Sequence, residues 1–524
     1  MTGLMPLSTS YRNFAESWKR STSSNSPRSG QEESVIVRPV HFVILAILLC
    51  LVAVHTPGQA TAGPAPAPTS TSSSGGTASS APAAPQAQSS FQGSVPGKLE
   101  PGVIQISMQD AIDRGLKTNL GLLLSEQDIG SARGERWRKL SSLLPNITTS
   151  SYVDASQVDL AEFGFNAIPG VTIPTIIGPF AYFDSRAYLT QSMLDLNALN
   201  NTRAATQNLK AAQYTAKDAR DLVVLAVGYN YLQAIADASR IESVSAQVNT
   251  AQALYNQAAD QVNAGTSPAI DGLRAQVELK TRQQQLIQAK NDFAIQKLTL
   301  ARVIGLAPGQ QYELTDKSPY EPFTAMSLDE ALQRAYASRS DFMAASATLR
   351  AVEYSKKAAR AENYPTLSFS ADYGLAGTTS TLTTHSVFDV RGTLNFPIFQ
   401  GGKVQGDELQ ANAQLQQARQ RLENIRGQID ADVRTAFLNL QSSAEQVEVA
   451  KSNIDLAQQT LDQSRDRFAA GVADTVEVVQ AQEQVASAND SYIFSLYSYN
   501  YAKISLARAL GLAEASVREY FKGK

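Results

Sequence analysis

The chain has 524 residues, 18% of them charged, and a formal net charge of −3, which excludes the basic surface a nucleic-acid binder needs. A single cysteine, Cys50, excludes an intramolecular disulfide framework and a cysteine-rich metal centre. Three scattered histidines, His41, His55 and His385, offer neither a zinc cluster nor a catalytic dyad, so no enzyme and no cofactor or metal is expected.

Residues 1–62 read as a secretory signal with a long n-region. Lys19, Arg20, Arg28 and Arg38 precede an apolar run from Phe42 to Val54, too short to span a bilayer, and Ala60-Thr61-Ala62 supplies a small-x-small cleavage site. Cys50 follows the bulky Leu49, where a lipid-anchor signal needs a small residue, so it reads as one more apolar residue of the run. Residues 63–102, rich in Pro, Ala and Ser, have almost no apolar bulk to offset ordering entropy and read as a disordered linker. Folded structure is expected from about Val103.

Two structural repeats follow, 103–308 and 327–513, joined by an inter-repeat linker at 309–326 and ended by a short tail at 514–524. In the first, Ser107 can cap a helix with Asp110 three positions on. In the second, Ser327 and Glu330 do the same, 220 residues later. Each leads into about twenty-five helical residues that stop at a proline, Pro145 or Pro365, again 220 apart. Beyond each proline the apolar period becomes two. Leu367, Phe369, Ala371, Tyr373 and Leu375 alternate with Ser368, Ser370, Asp372 and Gly374. Phe388, Val390, Leu394, Phe396 and Ile398 then alternate with polar residues that include Asp389 and Arg391. One apolar and one charged face over about ten residues is the pattern of a transmembrane β-barrel strand. Weaker copies at Ile147 to Ala155 and Ala181 to Met193 flank a long apolar loop, whose role does not follow from its composition.

After the strands the chain reads as a helix of about 100 Å, a reversal at glycine and a returning helix. Asn197 to Ala264 turns at Gly265 and returns from Pro268 to Gly305; the copy begins near Gly402, turns at Gly471 and returns to Gly511. Gly265 and Gly471 are 206 apart. At that offset Asp271 matches Glu477, Ala275-Gln276 matches Ala481-Gln482, and Leu300-Ala301-Arg302 matches Leu506-Ala507-Arg508. Ungapped matching over about seventy-five residues is an internal duplication. The second return helix carries a heptad seam of Val478, Val485, Tyr492, Tyr499 and Leu506. Small residues stand three positions after each: Ala481, Ala488, Ser495, Ala502 and Ala509. Large against small at those positions lets long helices approach closely.

Four strands cannot close a barrel, and an open edge in lipid leaves backbone groups unsatisfied at several kcal/mol each. The barrel must be shared between chains. Three chains would supply twelve strands and a twelve-track helical cylinder. The expected fold is therefore mainly α with transmembrane β: an internally duplicated, trimeric twelve-stranded β-barrel continued by a long α-helical barrel.

The residues Phe396-Pro397-Ile398-Phe399-Gln400-Gly401-Gly402, where strand gives way to helix, resemble the TolC-like outer-membrane factor family. So does the tip Arg467-Phe468-Ala469-Ala470-Gly471, with Glu477-Val478 and Ala481-Gln482 after it. With the duplicated order, the resemblance covers about residues 103 to 513. It implies a homotrimeric exit duct of a tripartite efflux or type I secretion system, in the outer membrane and extending into the periplasm. Its implied partners are outer-membrane lipid, a periplasmic adaptor protein and an inner-membrane pump of RND, ABC or MFS type, with no nucleic acid. It further implies that Asp271 and Glu477 form a cation-attracting carboxylate ring at the periplasmic gate. Gly265, Gly471, Arg467 and Phe468 are the expected tip turns and adaptor contacts. The family's further acidic position is Gln480 here, and Ala473 stands where some members carry a basic latch. Two alternatives stay open: Asp474 and Glu477 also satisfy a plain helix cap, and a periplasmic coiled-coil adaptor or scaffold would carry similar hairpins.

Overall fold

The computed structural model describes residues 91–164, 174–316, 320, 322–323, 326–378 and 383–520. The signal reading of 1–62 with Cys50, the linker from 63 to 90 and residues 165–173 of the apolar loop lie outside them. In chain order the first repeat runs β1 (Ile104–Ile106), α1 (Met108–Thr118), α2 (Leu120–Ser141), β2 (Asn146–Asp159), β3 (Ile176–Leu194), α3 (Leu196–Asn263) and α4 (Ala269–Val303). After β4 (Tyr312–Leu314) the second gives α5 (Leu328–Ser338), α6 (Ser340–Ala361), β5 (Thr366–Thr378), β6 (Thr383–Asn395), α7 (Lys403–Ala469) and α8 (Thr475–Ala509). The chain ends in α9 (Ala513–Tyr520).

Each capped short helix, α1 or α5, leads into a second helix of 22 residues, α2 or α6, close to the roughly twenty-five expected before each proline. Asn119 and Arg339, 220 apart, have extended backbone at φ −62° and ψ 126° and 120°. Asn119 is fully buried, and its side chain accepts from the N–H groups of Gly121 and Leu122 to restart the helix. The capping serines behave as their spacing dictates: Ser107 Oγ accepts from the Asp110 N–H and Ser327 Oγ from that of Glu330.

The long helices α3 and α7 have 68 and 67 residues, and each return helix has 35. Along α3 pack α2, α4, α6 and α8, so the two repeats share one helical wall. Of the heptad seam on α8, Val478, Val485, Tyr499 and Leu506 are buried along with every small partner, and Tyr492 is half-buried.

A second layer covers one side of this wall. β1 pairs parallel with β4, and Ile106, Met108 and Ile112 pack on Val223, Val227 and Tyr231 of α3. The Tyr231 hydroxyl lies 3.0 Å from both the Ile106 carbonyl and Asp316 Oδ2. Two expectations are corrected in this layer. Residues 91–102 are not a free tether at their C-terminal end: the Val95 N–H donates to the Thr118 carbonyl and that of Gly97 to the Gly305 carbonyl. They use the carbonyls a helix end leaves unpaired. The tail is likewise structural as far as Tyr520, because α9 buries Ala513 and Val517 in the same core, and Arg220 ion-pairs with Glu514 at 2.8 Å.

Candidate functional site

The two reversals are built alike. Ala264 and Ala470 end α3 and α7, and the next residues, Gly265 and Gly471, take φ of 73° and 74°. The Thr266 N–H donates to the Gln261 carbonyl and that of Gly265 to Val262. In the copy, Val472 donates to Arg467 and Gly471 to Phe468. These paired bonds are the Schellman arrangement, which needs a left-handed residue and so selects glycine.

The acids after the glycines have unlike surroundings. Asp271 is 7% exposed; it accepts from Ser267 Oγ at 3.0 Å and lies 3.5 Å from Arg274 Nη1. Glu477 is half-buried and pairs with Arg467, Nε to Oε1 at 3.0 Å, while its N–H donates to the capping Asp474. The difference begins with the cap: Asp474 offers a carboxylate where the first repeat has Pro268, so Ser267 binds Asp271 instead. Arg467, Gly265 and Gly471 are on the surface. Phe468 is not; it is 4% exposed and packs with Leu461, Val478 and Ala481, so it braces the reversal from beneath.

At the other end, β2, β3, β5 and β6 form one antiparallel sheet in that order. The register places Leu367 opposite Leu394, Ala371 opposite Val390 and Tyr373 opposite Phe388, so the apolar residues of β5 and β6 share a face. Ile147 and Val153 of β2 extend it through their pairings with Leu189 and Phe183. Phe388 is 75%, Ile147 72% and Tyr373 65% exposed, and among the described residues nothing covers that face. The outer sides of β2 and β6 have no strand partner among the described residues.

The opposite face is ionic. Arg186 lies 2.6 Å from Asp184 and 3.2 Å from Asp372, which stands opposite Asp389 across the β5–β6 pair; Asp389 in turn pairs with Arg391 at 3.2 Å. Gly374 faces Arg186, and a Cβ there would come within 2.1 Å of the Ser185 carbonyl oxygen and 2.8 Å of the arginine Cγ, so only glycine fits where the two strands meet. The sequence pattern marks Asp372, Asp389 and Arg391 only as polar spacers and leaves out Asp184 and Arg186. Their i, i+2 spacing within the strand was the available signal.

Among the described residues no helix is long and apolar enough to cross a membrane, and no group of His, Cys, Asp and Glu has metal-site geometry.

The family model for outer membrane efflux proteins matches residues 114–306 and 331–512. The pyoverdine export outer membrane protein OpmQ of Pseudomonas aeruginosa is 22% identical over 405 residues, 74% of this chain and 83% of its own length. The outer membrane efflux protein BepC of Brucella suis is 21% identical over 399 residues, 75% and 80% of the two lengths. Among solved structures, the outer membrane protein VceC of Vibrio cholerae superposes with a TM-score of 0.67 at 17% identity, over 77% of this chain and 96% of that one. The Campylobacter jejuni outer membrane channel CmeC gives 0.65 at 17%, over 79% and 89%.

Proposed function

Because the chain belongs to the outer membrane efflux protein family, we propose that three copies assemble into one continuous exit duct through outer membrane and periplasm. The single observation that carries this reading is the open four-stranded sheet: uncovered and apolar on one face, ionic on the other, and leading directly into helices of 68 and 67 residues. Lipid covers the apolar face, and neighbouring copies satisfy the edges of β2 and β6, since unpaired strand edges are not tolerated in hydrocarbon. Three copies of four strands make twelve, and the ionic face then lines the lumen.

In this reading the reversals form the periplasmic end. Asp271 and Glu477 contribute six carboxylates around the axis and attract cations there. Gly265, Gly471 and Arg467 meet a periplasmic adaptor, braced by Phe468, and the adaptor links the duct to an inner-membrane pump. Pyoverdine export by a relative makes small secreted metabolites the first cargo class to try.

Two measurements test the assembly. Light scattering on detergent-extracted protein is expected to give three times the mass of the chain, and planar lipid films are expected to show discrete conductance steps. A monomeric mass with no conductance would overturn the reading. For the gate, Asp271→Asn with Glu477→Gln is expected to lower cation preference; an unchanged reversal potential would remove these residues from it.

A further inference from the structure

Four consecutive residues of α3 point to four sides. Val227 meets α1, since a Cβ on Gly115 would lie 2.6 Å from it; Gly228 meets Ile504 of α8; and the Asn230 carbonyl accepts from Gln296 of α4. At 100° per residue, Tyr229 is left on the side opposite α1. On α8, Tyr497 and Tyr501 are in ring contact with Tyr229, so they lie on the same side of the wall as it does, with their inner edges against the core that α3 and α8 share. The layer of α1, β1 and β4 would plug a tube if it lay inside. In the duct reading it is therefore external, which puts these three tyrosines on the lumen side.

They meet there across the joint between the repeats. Ring centroids of Tyr229 lie 5.5 Å from Tyr501 and 6.1 Å from Tyr497, both edge-on, and Tyr497 and Tyr501 are parallel at 6.3 Å. Phe494, 64% exposed, continues the group at 6.4 Å from Tyr497. Burial is the main reason the Tyr497 hydroxyl holds its proton above the ordinary range, Tyr229 adds to it, and Asp237, two turns along α3, is near enough to contribute. Asp237 accepts from Gln233 at 2.9 Å, while the neighbouring Arg240 is drawn to Asp490 at 3.9 Å.

We propose that Tyr229, Phe494, Tyr497 and Tyr501 form an aromatic slot on the inner wall that binds flat aromatic cations in transit, with Asp237 as counter-charge. The chemistry is complementary: aromatic faces attract cations most when partly desolvated, and a nearby carboxylate selects the positive form. The slot rests on the duct reading above, and it lies far along α3 and α8 from the reversals.

The test is block of single-channel current by ethidium, using the full-length protein in planar lipid films. Phe494→Ala with Tyr229→Ala is expected to need about tenfold more ethidium for half block, with open-channel conductance unchanged. Tyr229→Phe, which keeps the ring, is expected to block as wild type. Asp237→Asn is expected to weaken block by ethidium. Equal half-block concentrations in wild type and the double alanine variant would overturn the slot. A wild-type protein that conducts nothing would overturn the duct reading instead. Ethidium fluorescence on the same detergent-solubilised proteins then judges the slot by itself: weaker binding by the double variant supports it, and equal binding overturns it.

Discussion

Arg467 Nε lies 3.0 Å from Glu477 Oε1, so the last turn of one long helix is tied to the first turn of the helix that returns from it. The pair crosses the reversal at Gly471, and the first repeat answers it differently, with Ser267 and Arg274 around Asp271. The two acids share a position in the duplication but not an environment.

Because the Arg467 and Glu477 side chains are 57% and 38% exposed, their pair should contribute under about 1 kcal/mol. Arg467→Ala is expected to leave the melting temperature nearly unchanged while shifting the reversal potential toward greater cation preference, since the Glu477 charge is no longer offset. A large melting shift without any change in selectivity would show the pair to be purely structural.

The reversals give a second prediction. Gly265 and Gly471 have open space around them, so a methyl group there clashes with nothing. The only cost of alanine is the left-handed backbone, about 1 kcal/mol at each site. Chemical denaturation of Gly265→Ala, Gly471→Ala and the double variant should show two equal, additive losses.

Arg339 is a buried cation of the second repeat with two carboxylate partners. Its side chain is 4% exposed and lies 2.5 Å from Asp341 and 2.8 Å from Asp432. Arg339→Ala is expected to cost about 3 kcal/mol, the low end for a broken buried pair, because Asp432 remains partly solvated. Burial pushes the Asp341 carboxyl up, but the hydrogen bond and charge of Arg339 outweigh it and hold the group below its ordinary 3.8. A depressed folded value stabilises above that pH and is lost as pH falls through it. Acid unfolding should therefore be less steep in the variant than in wild type.

At the alkaline end the sign reverses. Burial raises the hydroxyls of Tyr231, Tyr312, Tyr497 and Tyr501 above their ordinary 10.0. Above that pH the unfolded tyrosines ionise while the folded ones stay protonated, so stability falls as pH rises. Helical circular dichroism and tyrosinate absorbance should change together in a titration above pH 10, and Tyr231→Phe should flatten that dependence.

On the sheet, Arg186→Ala strands Asp184, 4% exposed, without its cation. The expected result is loss of the threefold mass in light scattering of detergent-extracted protein, and Asp372→Ala, which removes the cross-strand partner of Arg186, should weaken it in the same direction. Retention of the threefold mass in both variants would show that the ionic face does not hold the assembly together.

Much of this architecture was legible in the residues. A period of two at Leu367 to Leu375, ungapped matches at an offset of 206, and glycines at 265 and 471 each report the geometry of a chain segment about its own axis. That is local information, and it fixed strands, helices, reversals and duplication. The extended conformation of Asn119 and Arg339 between the paired helices was not legible, because both are buried against other elements. Nor was the docking of residues 91–102, whose partners are the backbone carbonyls of Thr118 and Gly305. Periodicity states which face a residue occupies but not what stands opposite it. Arg186 finds Asp372 a distance of 186 positions along the chain, and Tyr229 meets Tyr497 and Tyr501 across two repeats. Those meetings depend on how twisted strands and long helices are laid side by side, and only the tertiary structure decides them.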